Sequence, residues 1–254
     1  MSRGNAFARS KRRRSENSVT LIAKRSSKTT FDMKKLDPRL RAVVDNISGV
    51  VLADVGCDHG KIGLTALKEG RVTKTIESDV SQPSLDKAIK LAKEEGLTSV
   101  EFIRCDGFEG YRDDQVDVAV VAGMGGREIV KILDSQVRGI AKFVLLAHSD
   151  VDFLRRYLAA GGYVRERDYV VESGKKFYNL IVATRGEETP SYREIMLGNN
   201  SITDPTFCSF VENELAKIGS YAEFVAADSQ IKRYYDLLRE VKEEIRHAKT
   251  VSNN

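Results

Sequence analysis

Asp54, Gly56, Asp58, His59 and Gly60 fall within seven residues, directly after the apolar stretch of Val50, Val51, Leu52 and Val55. An apolar strand that ends in an acidic and glycine-bearing turn and leads into a helix suits a nucleotide-type ligand. Gly56 and Gly60 allow a tight turn and close approach of backbone to that ligand. A helix starting near Gly60 turns its free N–H groups to the same place. The spacing lacks the GxGxxG fingerprint, so a smaller adenosyl ligand has more support than a dinucleotide pyrophosphate. By itself the loop also fits an ordinary strand-to-helix turn.

Three more strand ends carry residues of the same kind. Asp79 closes ThrIleGluSerAsp 23 residues beyond Gly56, where a second parallel strand would present a carboxylate to ribose hydroxyls. Val100 to Arg104 ends in Cys105-Asp106-Gly107, placing another acid where an adenine amino group could be read. Val116 to Ala122 runs into Gly123-Met124-Gly125-Gly126, in which glycines admit a ligand to the backbone and Met124 offers a flexible apolar contact. Open α/β sheets bind ligands at the carboxyl edge of their strands. Asp54, Gly56, Asp79, Asp106, Gly107, Gly123 and Met124 are therefore the candidate cofactor-binding residues.

The elements that must position these residues read as alternating strands and helices. A helix is predicted over Asp37 to Ile47, and another over Pro83 to Glu95, where Leu85, Ala88, Ile89, Leu91 and Ala92 recur at helical spacing. Gly126 to Leu133 begins a third, Phe143 to Ala147 is a strand, and Val151 to Ala160 is a helix stopped by Gly161-Gly162. Tyr163 to Glu172 and Phe177 to Thr184, separated by SerGlyLysLys, read as a β-hairpin. Beyond Asp204-Pro205, two helical apolar runs, Phe207 to Phe224 and Ile231 to Ile245, flank an Asp228-Ser229 cap and predict an antiparallel helical hairpin. Its aromatic stripe reads as interhelical core and its mixed-charge outer face as a solvated surface.

AspValGlyCysAspHisGly from Asp54, the acid at Asp79, AspGly at Asp106 and ValAlaGlyMetGlyGly from Val121 together resemble the bacterial tRNA (adenine-22-N1)-methyltransferase family. The resemblance spans roughly Met33 to Arg185. Its specific parts are the AspHis pair and the AlaGlyMetGlyGly turn; the rest is common to many adenosylmethionine-dependent methyltransferases. It implies a Rossmann-like α/β fold with a seven-stranded, mostly parallel sheet, S-adenosyl-L-methionine as donor and tRNA as acceptor. It also implies Asp58 as the principal catalytic residue and His59 as a helper by hydrogen bonding or proton relay. The bland alternatives are that Asp58 caps the following helix and His59 packs in the turn. The fourth-strand turn lacks the Asp/Asn-Pro-Pro-aromatic motif of many exocyclic-amine methyltransferases, in keeping with attack by a ring nitrogen. Two turns depart from the family pattern: Gly60-Lys61-Ile62-Gly63 stands where AlaTyrLeuPro is common, and Ala147-His148-Ser149-Asp150 where GlnProAsn is frequent. Other classes remain open: a small-molecule or protein methyltransferase, a noncatalytic RNA-binding relative and, more weakly, an NAD-dependent enzyme.

Length and composition agree with one catalytic domain and an appendage: 1–32 a disordered basic extension, 33–188 the methyltransferase domain, 189–254 the helical hairpin. Residues 1–32 hold nine Lys or Arg against two acids, so the chain's excess of +4 lies wholly there. An RNA-binding arm, an Arg/Ser-rich targeting peptide and a start assigned ahead of Met33 are the three readings of that segment. No apolar run is long enough to span a membrane. Cys57, Cys105 and Cys208 lack CxxC spacing, which argues against a structural zinc site or disulfide framework and for a reducing, cytoplasmic setting. No metal is expected to be required.

Overall fold

The structure is a computed structural model that describes residues 36–222 and 224–252. The basic segment 1–32 lies outside the described residues. Helix α1 (Pro38–Asp45) starts at the N-cap Asp37, whose carboxylate accepts from the Arg39 N–H, with Pro38 at a position that needs no donor. There follow β1 (Val51–Val55), α2 (Lys61–Lys68), β2 (Lys74–Asp79), α3 (Gln82–Glu94) and β3 (Val100–Arg104). The second half comprises β4 (Val118–Met124), α4 (Gly126–Asp134), β5 (Lys142–Ala147) and α5 (Val151–Ala160), and an antiparallel pair, β6 (Tyr163–Ser173) and β7 (Lys176–Arg185), comes next. Helices α6 (Tyr192–Leu197), α7 (Pro205–Ala222) and α8 (Gln230–Ser252) end the chain.

The seven strands lie in the order β3-β2-β1-β4-β5-β7-β6. Strands β1 to β5 are parallel, and β7 pairs antiparallel with both β5 and β6. Chain order runs outward from β1 through β2 to β3 in one direction and from β4 to β5 in the other, with β7 inserted before β6 at the far edge. The switch point therefore falls between β1 and β4, where an open α/β sheet leaves a crevice. The central strands are buried on both faces, which is why they read as continuous apolar runs. Leu52, Val118 and Val120 pack with α1 and α2; Ala53, Val55, Ala119 and Val121 pack with α4 and α5. A third cluster joins Val170 of β6 to Phe207 and Val211 of α7 and Leu238 and Val241 of α8; Phe207, Phe210, Tyr234 and Tyr235 of the aromatic stripe pack in it, whereas Tyr221 and Phe224 are exposed.

Two local features differ from the sequence reading. Strand β4 does not stop at Ala122: its register with β5 shifts between Ala122 and Met124, and Gly123 takes φ +83. This bulge lets pairing resume at Met124 while aiming that side chain anew. Helix α6 was not predicted, although Ser191 and Glu194 form a reciprocal capping box that the Ser-x-x-Glu spacing announces.

Candidate active site

Two cavities open at the switch point and share Gly56 and Met124 in their walls. The cavity toward β2 and β3, ≈430 Å³, is lined by Asp79, Asp106, Gly107 and Glu128. The other, toward α1 and ≈360 Å³, is lined by Asp54, Asp58, His59 and Gly123 together with Arg39 and Leu40. All nine residues singled out in the sequence thus meet at this one crevice. Arg39 and Glu128 were missed. Arg39 sits in the first turn of α1, before the strand that carries the loop, and Glu128 follows the glycine turn; its carboxylate accepts from the Gly125 N–H at 3.0 Å.

Asp79 is held by two backbone donors: Oδ2 accepts from Asp58 N–H at 3.0 Å and Oδ1 from Ser81 N–H at 2.8 Å. Each oxygen keeps a lone pair for a further donor, as binding of a ribose diol requires. Gly56, at φ +72, brings bare backbone under Met124; a Cβ built there would stand 2.4 Å from Met124 Cε. That cradle, with carboxylates on one side and an apolar methyl over the turn, fits an adenosyl ligand. Gly56→Ala is expected to fold, because Cε is the free end of a flexible chain and can swing aside. Left-handed backbone at a non-glycine costs about 1–2 kcal/mol. Displaced Met124 would intrude on both cavities, so donor affinity should fall at least about tenfold by calorimetry, equivalent to ~1.4 kcal/mol. Unchanged affinity would show that the two cavities do not form one ligand site.

Asp58 has φ +50, an uncommon conformation for a non-glycine residue, and its side chain is 71% exposed at the mouth of the α1 cavity. It does not cap α2: the N-cap position is Gly60 and no side chain bonds there. His59 Nε2 lies 3.5 Å from Asp58 Oδ1 and 3.0 Å from Lys87 Nζ. Since ammonium can only donate, Nε2 is the acceptor nitrogen in this pair. The site thus presents a solvated carboxylate beside an imidazole steadied by α3. Cys57 supplies no nucleophile, because burial, with Asp54 and Glu77 nearby, pushes its thiol up.

Beneath the turn lies a buried acid pair. Asp54 is 2% exposed, and its Oδ2 accepts from the Gly63 N–H at 2.9 Å, tying β1 to α2. Glu77 is fully buried; Oε1 accepts from Thr75 Oγ1 at 2.7 Å, while Oε2 has no donor to accept from. Burial first, then Asp54, raises Glu77 well above its ordinary value, and burial raises Asp54 to about 6. Burial thus holds both carboxyls toward their protonated form. Both acids have raised values in the folded chain, so the folded state binds more protons than the unfolded one. Their contribution to stability is present below about pH 4 and is lost as pH rises through their raised values, about 6 for Asp54, where it amounts to roughly 3 kcal/mol. Glu69, lowered to about 2 chiefly by Arg41, acts with the opposite sign. In Glu77→Gln, which removes one titrating group and keeps a donor, the fall in Tm between pH 4 and pH 7.5 should be smaller than in wild type. Superimposable profiles would dismiss a raised Glu77.

Among the described residues no helix is long and apolar enough to cross a membrane, and no group of three or more His, Cys, Asp or Glu is placed to hold a metal ion.

A doubly wound sheet with its ligand crevice at the β1–β4 switch defines the class, and the chain matches the family described as "Methyltransferase domain" over residues 36–181. It belongs to that family. Within it, the chain is 27% identical over 176 residues to the tRNA (adenine(22)-N(1))-methyltransferase of Bacillus subtilis, covering 67% of this chain and 74% of the relative. A Streptococcus pneumoniae protein crystallised with S-adenosyl-L-methionine superposes with a TM-score of 0.72 at 25% identity, over 80% of this chain and 98% of the other. TrmK of M. capricolum, solved with S-adenosyl-homocysteine, shares the fold at a TM-score of 0.70 and 19% identity, over 82% and 96% of the two chains.

Proposed function

We propose that this protein transfers a methyl group from S-adenosyl-L-methionine to N1 of an adenine in tRNA, at position 22 by its likeness to the Bacillus subtilis enzyme. The observation that carries the reading is the meeting of four strand ends at one crevice, with Asp58 and His59 at its mouth. Asp79 would hold the ribose hydroxyls and Asp106 the adenine edge, while Gly56, Gly107, Gly123 and Met124 shape the floor. Bound there, S-adenosyl-L-methionine supplies an electrophilic methyl group.

The residues of the chain then have a limited task. Adenine N1 carries an in-plane lone pair and needs no covalent activation, only positioning. The methylated base is a cation, so a carboxylate at the ring edge offsets the developing charge and orients the exocyclic amine. Asp58 has the location and solvation for that role, and His59 can relay a proton beside it. The α1 cavity, walled by Leu40, Ile62 and Leu146 as well as these polar groups, can receive a base taken out of its stack. We infer a cytoplasmic enzyme, an assignment that the free thiols of Cys57, Cys105 and Cys208 favour.

Incubation of the purified chain with labelled S-adenosyl-L-methionine and unmodified bulk tRNA, followed by nucleoside mass spectrometry, tests the reading. 1-Methyladenosine is the expected product. Donor binding with no methylated nucleoside, or a different methylated acceptor, would overturn it.

A further inference from the structure

A third cavity, ≈510 Å³, lies beside the α1 cavity and is of opposite character. Its polar walls are Arg39, His148, Lys175, Lys176, Asn213 and Lys217, without a carboxylate. The two cavities of the crevice carry Asp54 and Asp58, or Asp79, Asp106, Glu109 and Glu128. Residues 33–254 hold 32 Lys or Arg against 35 Asp or Glu, so this part of the chain has no net attraction for a polyanion. A local concentration of four cations against that background is what steers an anionic partner.

The cleft is built by three elements that are tied together. Ser173 Oγ donates to Asp37 Oδ1, joining the β6–β7 hairpin to the start of α1, and the Arg39 guanidinium lies 4.8 Å from the centre of the Tyr178 ring. Phe177 meets Phe210 of α7 edge to face at 5.7 Å, which sets Asn213 and Lys217 on the opposite wall. At the hairpin tip Gly174 takes φ +63, as the first central position of a two-residue turn demands, so Lys175 and Lys176 project from a short, defined loop. Their side chains have no ion-pair or hydrogen-bond partner among the described residues. Lys217 is partly offset by Glu214 at 2.7 Å and Arg39 by Asp37 at 3.4 Å. His148, in the turn that departs from the family pattern, lines this cleft and a smaller neighbouring cavity that carries Asp150, Asp152 and Glu214, but neither cavity of the crevice.

We infer that this cleft binds the RNA backbone: two or more consecutive phosphates lie along Arg39, Lys175, Lys176 and Lys217, and the nucleotide beside them enters the α1 cavity. Arg39 lines both spaces and marks the passage. The inference rests on the RNA acceptor proposed above and names where its strand is held. Phosphate contacts of this kind fix register and carry no sequence information, which suits lysines acting as point charges.

The test compares the full-length chain, the double variant Lys175→Glu/Lys176→Glu, and Lys90→Glu/Lys93→Glu, which makes the same net change at exposed positions of α3. Binding of fluorescent unmodified tRNA over a range of salt, methyl-transfer kinetics and calorimetric donor binding are measured for each. The cleft variant should bind tRNA at least about tenfold more weakly, with KM for tRNA raised equally, kcat within about twofold and donor affinity unchanged. Its plot of log affinity against log salt should flatten by about 1.4–1.8, the loss of two phosphate contacts. The α3 variant should stay within about twofold of wild type. Equal losses in both variants, no loss in either, or full displacement of tRNA by millimolar inorganic phosphate would overturn the inference. If wild type binds tRNA through Lys175 and Lys176 yet forms no 1-methyladenosine, the cleft stands and the adenine-N1 reading falls. If tRNA is methylated with no sensitivity to these lysines, the outcome is reversed.

Discussion

Asp58→Ala is expected to lower the turnover of tRNA methylation by about 10²–10³-fold while donor affinity changes by less than about threefold, a loss of ~3–4 kcal/mol confined to the transition state. The separation follows from geometry. The Asp58 side chain is exposed at the mouth of the α1 cavity, whereas its backbone N–H, which alanine retains, is one of the two donors that hold Asp79. Asp58→Asn makes the test sharper, because asparagine tolerates the left-handed backbone and matches the shape while lacking the charge. If the carboxylate offsets charge on the methylated base, asparagine should fare little better than alanine. Full turnover in the asparagine variant would reduce Asp58 to a turn former, and a large loss of donor affinity in the alanine variant would place it on the donor instead. Single-turnover kinetics and calorimetry on the same preparations distinguish these outcomes.

Asp168→Ala is expected to cost about 3–5 kcal/mol of folding stability, seen as a fall in Tm of roughly 6–20 °C for a chain of this size. Asp168 is 1% exposed and faces two buried arginines. Arg155 meets it with two bonds of 2.8 Å, through Nε and Nη2, and Arg165 with one of 2.6 Å. Arg155 also donates to Asn179 and to the carbonyls of Ile195 and Met196, so all five of its N–H groups are engaged. Removing the carboxylate strands one guanidinium entirely within protein and leaves Arg165 with Glu188 alone as an acid partner. The network joins α5, β6, β7 and α6, so the loss should appear as one cooperative shift in denaturant midpoint. A loss below about 1 kcal/mol would mean that water or rearrangement satisfies the arginines. The two predictions separate cleanly, since Asp58→Asn should leave the midpoint nearly unchanged, Asp58→Ala should lower it by no more than the about 1–2 kcal/mol of its left-handed backbone, and Asp168→Ala should leave the chemistry of the remaining folded protein intact.

Much of the crevice was legible in residue order because its parts are local. A strand buried on both faces reads as an apolar run, and its carboxyl end is where the chain turns, so Asp54-Val55-Gly56, Asp79, Asp106-Gly107 and Gly123-Met124 announce themselves without reference to one another. The hairpin and the two long helices were legible for the same reason. The α6 capping box was present in the sequence and passed over, because six residues are too few for periodicity to register.

Other features depend on residues far apart in the chain. Glu77 reads as an acid inside an apolar strand; only burial beside Asp54 raises its carboxyl well above the ordinary value. Arg165 and Asp168 would face opposite sides of a regular strand, since side chains alternate with period two. A register shift between Arg165 and Arg167 brings them together, and only then can Arg155, from another helix, complete the network. The basic cleft likewise draws Arg39, Lys176 and Lys217 from three elements whose charges look like ordinary solvated faces in the sequence. The sequence by itself determined the class of fold and the residues that line the crevice, because strand ends and turns are encoded in consecutive residues. Tertiary structure alone decided which charges are buried, which are shared and which converge, because burial and distance arise only when distant elements pack.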